Sequence, residues 1–220
     1  MLKALKAWVL SVLIVTGITG VVMCAGCAAA GYIASAIPQS VEAQYKGLAG
    51  QKVAVLIWAD RGLRIDFPNL LLDTGNGMQS YLLAKTDEKS LEKTQFPWEV
   101  RSVLRFQKDH PELEGRSINE YAHRISGITR LLFVEVSEFS TRSGTAVQLL
   151  RGGMKANIKV LEVGATSSKI VYEKQGITVS YPPKSPEGVI DMSEAAVYGG
   201  TVNEMSLTLA KLFYPHIVED

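Results

Sequence analysis

Three kinds of side chain in this 220-residue chain could do chemistry, and their spacing separates them. The cysteines, Cys24 and Cys27, close a long uncharged run as Cys24-Ala25-Gly26-Cys27-Ala28, after a start that carries Lys3 and Lys6. A positive start, an apolar stretch and small residues before a cysteine compose an export signal, so Cys27 is the expected lipidated first residue of the mature chain. Asp73 stands in Leu70-Leu71-Leu72-Asp73-Thr74-Gly75. Such a carboxylate activates water when a second one shares its proton, so a single copy would need a homodimer. His110, His123 and His216 lie far apart with no carboxylate or cysteine at ligand spacing, and no metal or other cofactor is expected.

The segment from Lys3 to Cys27 resembles the bacterial lipoprotein signal, with Ala25 and Gly26 as the small residues a signal peptidase needs. Cys24 occupies the place where that signal has a branched apolar residue. No charge occurs from Ala7 to Ile37, a run longer than a signal core of roughly 7 to 15 residues and able to span a bilayer of about 20 helical residues. Gly17, Gly20, Gly26 and Gly31 weaken that run as a helix. Two anchors therefore stay open, a lipid on Cys27 after loss of residues 1–26 and an uncleaved helix, and both leave Lys3 and Lys6 in the cytoplasm with the domain outside it. Ala28 after the cysteine, by the same resemblance, implies the outer membrane.

Loss of residues 1–26 removes two lysines and no acid, leaving 21 basic against 22 acidic residues. That balance attracts neither nucleic acid nor an anionic membrane surface. With Cys27 acylated no disulfide is available, so one domain over residues 51–220 must be held by its apolar core, behind a lipidated tether over 27–50 rich in Ala, Gly and Ser.

Lys52 to Trp58 is continuously apolar and β-branched, which predicts a strand buried on both faces at the centre of the fold. Helical spacing follows over Phe67–Lys85, where Gly75 and Gly77 predict a bend or interruption, and over Trp98–Lys108. Ser117-Ile118-Asn119-Glu120 has capping-box form and opens a short helix that Gly127 stops. Strands are predicted at Thr129–Phe139, Gln148–Val163, Lys169–Glu173 and Ile177–Tyr181, with Ser140–Thr145 as a hairpin loop, and a last helix at Thr201–Tyr214. The expected fold is α/β (α+β), a mixed, mostly antiparallel sheet of four or five strands flanked by about four helices in a single domain.

This order, with the strands near Val53–Trp58, Leu131–Val136 and Met154–Val163, resembles one class of envelope domains. It is shared by curli-secretion-channel-like lipoproteins, penicillin-binding-protein activator lipoproteins and the amino-terminal domain of TolB. The resemblance implies assembly or regulation through protein contacts, with no catalytic residues and an envelope protein as partner, whose identity and stoichiometry the sequence leaves open. It implies no pore, because a pair of long amphipathic membrane hairpins is missing.

Two other readings compete with a tethered adaptor. Asp73 with its flanking residues resembles the active-site loop of aspartic proteases, although Asn76 stands where that family has Ala or Ser and the flanks read as helix. A ligand pocket beside the carboxyl end of Val53–Trp58 would draw polar groups from Asp60 and Arg61. Glu135 and Glu138, three apart on a strand, are expected on opposite faces, and Arg151-Gly152-Gly153 marks a bulge or a close backbone crossing. Gly75-Asn76-Gly77 lacks the spacing of a phosphate loop. For contact with other proteins, Tyr181–Pro186 reads as an extended loop and Arg101, Arg105, Lys108, Glu112 and Glu114 as a charged helical surface.

Overall fold

A computed structural model describes residues 40–113, 117–142, 149–185 and 187–217; Cys24, Cys27, Glu114 and half of the predicted hairpin loop lie outside them. The chain divides into two compact units, residues 1–41 with 217–220, and residues 42–216. The described residues of the small unit belong to β1 (Ser40–Val41) and β6 (His216–Ile217), which form a two-stranded sheet. All that follows concerns the larger unit.

The apolar run becomes β2 (Val53–Ala59), and its alternating side chains are buried to both sides. Val53, Val55, Ile57 and Ala59 enter one core cluster, Ala54 and Leu56 another. Yet β2 lies at the edge of the sheet. The order is β2-β3-β4-β5, with β3 (Arg130–Arg142) parallel to β2, and β4 (Leu150–Val163) and β5 (Ser168–Tyr181) antiparallel. An edge this apolar has to be covered. Helices cover its faces, and its start is pinned by Val53 N–H donating to Gln95 O at 2.7 Å and Gln95 N–H donating to Gln51 O at 2.9 Å.

Helix α1 (Arg61–Asp66) was not legible as a periodic pattern, being six residues long. It forms because the Asp60 carboxylate accepts from Leu63 N–H at 2.8 Å, capping its first turn. Helix α2 (Leu70–Leu83) runs unbroken through both glycines. Their role is close approach. A Cβ on Gly75 would stand 2.5 Å from Val100 Cγ1 and 3.1 Å from Ile57 Cγ1, and one on Gly77 would stand 2.5 Å from Ser206 Oγ. Gly75→Ala is therefore expected to lower stability by about 1 kcal/mol net, the helix-propensity gain falling short of the overpacking cost, read as a reduced urea midpoint.

Helix α3 (Val100–Asp109) and α4 (Ile118–Arg124) cover the Ala54 side, α4 starting where Ser117 Oγ accepts from Asn119 N–H at 3.2 Å. A 3-10 turn, Pro111–Leu113, links them on the α3 side. Helix α5 (Glu194–Ala210) lies on the other face beside α2, tied to it by Ser206 Oγ donating to Thr74 O at 3.1 Å and Tyr81 OH donating to Asn203 Oδ1 at 2.7 Å. The predicted class holds: five helices and a four-stranded mixed sheet, α+β, in the described residues. Packing also reaches back into the segment read as tether. Ala43 and Leu48 are buried, and Gln44 and Tyr45 N–H both donate to Leu212 O.

Shifts in register change what the strands present. Ser137 is extra in β3, so Glu135 pairs with Asn157 and Glu138 with Lys155. Glu135 and Glu138 therefore share one face, which corrects the expectation that they point apart; an inserted residue resets the two-residue period. The strands predicted at Lys169–Glu173 and Ile177–Tyr181 are one strand, β5, interrupted in register at Gln175–Gly176, where Asn157 Oδ1 accepts from Gly176 N–H at 2.9 Å. A further shift falls at Val171. With Lys169, Glu173 and Lys174 along it, this long outer strand is guarded against edge-to-edge pairing.

Candidate functional site

Asp73 sits inside α2, not in a strand-borne loop facing a second carboxylate. Its Oδ2 accepts from Tyr198 OH at 2.8 Å across the α2–α5 contact. The Tyr198 ring packs with Phe139 at 5.5 Å and Phe67 at 6.4 Å between centroids. Burial foremost, then the bond to Asp73, holds its phenol well above the ordinary tyrosine range. The arrangement ties two helices together and places Asp73 on a helix, where the aspartic-protease resemblance of Leu70–Gly75 implies a loop.

The histidines stay apart. His110 Nδ1 meets Glu112 Oε1 at 2.8 Å beside Phe106, His123 is exposed on α4, and His216 Nδ1 lies 3.3 Å from Tyr214 O. Among the described residues no three His, Cys, Asp or Glu side chains come together. The Gly152 position is the close crossing predicted: a Cβ there would run into Thr201 of α5.

An open hollow of about 510 Å³ lies at the carboxyl end of β2, where a ligand pocket was expected. Asp60 lines it, but Oδ1 is already committed to the α1 cap, and Arg61 is not part of the lining. Glu138 and Lys155 on its wall pair at 3.2 Å. Beyond it, on β4 and β5, the sheet face that carries Ala54 and Leu56 elsewhere holds an ion pair, Lys159 with Glu173 at 3.6 Å.

A second groove, of about 400 Å³, is floored by Pro68, Leu71, Leu72 and Leu104 and has Arg64 and Lys108 in its walls. Helix geometry explains it. Leu104 and Lys108 are one turn apart on α3, while α1 and the start of α2 supply the opposite wall. At about 100° per residue, Arg101, Arg105 and Lys108 fall within about 60° of one another, bordering Leu104. All three are exposed, and among the described residues none makes an ion pair. The surface read from sequence as mixed in sign is therefore split: the cations form a stripe along α3, and Glu112 turns to His110. Side-chain hydrogen bonding to His110 holds the Glu112 carboxyl below its usual range.

Of the loop read as extended at Tyr181–Pro186, the described part, Tyr181–Ser185, is instead folded back, and Pro186 lies outside the described residues. Tyr181 packs on α5 where a Cβ at Gly200 would collide with it, and Ser185 N–H donates to Pro182 O at 3.3 Å. Sequence reasoning missed the groove because its apolar residues carry the same helical spacing as core residues. No signal in the order of residues says that the partner helix stops short of them.

No protein-family profile and no curated protein matches this chain. Solved structures similar to it include the PelC dodecamer of Paraburkholderia phytofirmans, at 13% identity over 81% of this chain and 99% of that one, with a TM-score of 0.43. Another is the hypothetical protein CT253 of Chlamydia trachomatis, at 12% identity over 72% and 96%, with a TM-score of 0.36. A third is lipoprotein GNA1162 of Neisseria meningitidis, at 14% identity over 72% and 95%, with a TM-score of 0.39. None of the three bears the name of the curli-channel, penicillin-binding-protein-activator or TolB classes that the sequence resembled, and no residue's role is carried over from them.

Proposed function

We propose that this chain is a membrane-tethered envelope lipoprotein that acts without catalysis, as an adaptor or assembly factor for another envelope protein. The anchor rests on Lys3, Lys6, the apolar run and Cys27, and Ala28 supports an outer-membrane address with the domain in the periplasm. Among the described residues no helix is long and apolar enough to cross a membrane. The observation that carries the binding role is the apolar groove bordered by cations on α3 that make no ion pair among the described residues. Exposed apolar surface rimmed by polar groups marks contact sites on soluble domains.

Metabolic palmitate labelling of the full chain is expected, and Cys27→Ala should abolish it and shift the protein out of the sedimented membrane fraction. Labelling that persists in Cys27→Ala would move the lipid to another residue, and absence of labelling in the full chain would replace the lipid by the helix anchor. Crosslinking and pull-down from the native envelope should enrich a discrete envelope protein. Enrichment of none would remove the adaptor role.

A further inference from the structure

We infer that the groove between α1, α2 and α3 docks a partner segment in which carboxylates alternate with apolar side chains. This rests on the adaptor reading and adds the chemistry of the occupant. Three observations converge on it. The floor is apolar, from Pro68, Leu71, Leu72 and Leu104, so it gains by burying apolar side chains. Among the described residues, the charged side chains lining it are Arg64 and Lys108, with no carboxylate. Outside it, Arg101 and Arg105 continue the positive stripe along α3 without ion-pair partners among the described residues.

In a chain that is nearly neutral overall, Arg101, Arg105 and Lys108 thus stand along the apolar hollow without an ion pair among the described residues. Carboxylates flanking apolar side chains complement that pattern in sign and in polarity, and a positive rim speeds encounter as well as selecting sign. A concave hollow takes inserted side chains, whereas a flat lipid surface would meet only the stripe. The observations favour a protein segment over a membrane for that reason.

The test uses the full lipidated chain in phosphatidylcholine nanodiscs, with empty discs as baseline. A fluorescent peptide of about twelve residues, leucines interspersed with glutamates, is titrated by anisotropy beside a twin carrying lysine at each glutamate. The glutamate peptide should bind at least about tenfold more tightly than the twin. Arg105→Glu/Lys108→Glu, both exposed positions, should reverse that order with an unchanged melting temperature, and Leu104→Ser should weaken both peptides.

Equal binding of the two peptides, or an unchanged preference in the double variant, would overturn the inference. So would absence of peptide binding together with recruitment of phosphatidylglycerol vesicles that the double variant abolishes, which would assign the stripe to lipid. If the double variant still captures the envelope partner as the wild type does, the adaptor role stands and the groove is not its site.

Discussion

Gly152→Ala should destabilise the domain by about 3 kcal/mol, the largest effect of any single methyl group added to it. The methyl would enter the space of Thr201, with Val197 Cγ1 3.2 Å away on its other side. Neither neighbour can give way cheaply. Thr201 is fully buried, and its Oγ1 donates to Val197 O at 2.7 Å, so moving the hydroxyl breaks a buried hydrogen bond. For a domain of this size the loss corresponds to a fall in Tm of roughly 6–12 °C. The same change in a Thr201→Ala background removes the colliding hydroxyl and should recover part of the loss. A coupling energy near zero in that double-mutant cycle would show that the strand and helix do not meet as described.

Tyr198→Phe should cost about 2 kcal/mol at neutral pH and should also change how stability depends on alkaline pH. The ring and its contacts with Phe67 and Phe139 remain, but Asp73 Oδ2 loses its donor. The wild-type phenol is held above its unfolded value, mainly by burial. A group raised in this way contributes stability that is complete below the unfolded value of about 10 and is lost as pH rises beyond it. The wild type should therefore lose up to about 1.4 kcal/mol per pH unit above pH 10 through this residue, a component missing from the variant. Tyr172 and Tyr214, also raised by burial, add a background common to both proteins. Urea midpoints measured from pH 8 to 11 give the difference, and parallel curves would mean that folding leaves the Tyr198 hydroxyl titrating as it does in the unfolded chain.

Much of the architecture was legible where local pattern and tertiary need coincide. Val53–Trp58 is apolar at every position, so burial on both faces followed, and Ser117 with Glu120 announced a helix start whatever lay above it. Legibility ended where one residue's meaning depends on a distant neighbour. Gly75 and Gly77 carry a helix-breaking propensity, yet they stand in mid-helix because Val100, Ile57 and Ser206 leave no room for a side chain. Asp73-Thr74-Gly75 carries a protease-like signature, yet Tyr198, 125 residues later, takes its carboxylate.

From the sequence alone come the expectation of an address signal ending at Cys27, the expectation of a domain without disulfides, and the mixed sheet with helices, because composition and periodicity are local properties of a chain. Tertiary structure decided that β2 lies at the sheet edge, that a bulge at Ser137 brings Glu135 and Glu138 to one face, and that Arg101, Arg105 and Lys108 border an apolar groove. Those features depend on which elements become neighbours, and that choice is made by burying the whole apolar surface at once rather than by any single segment.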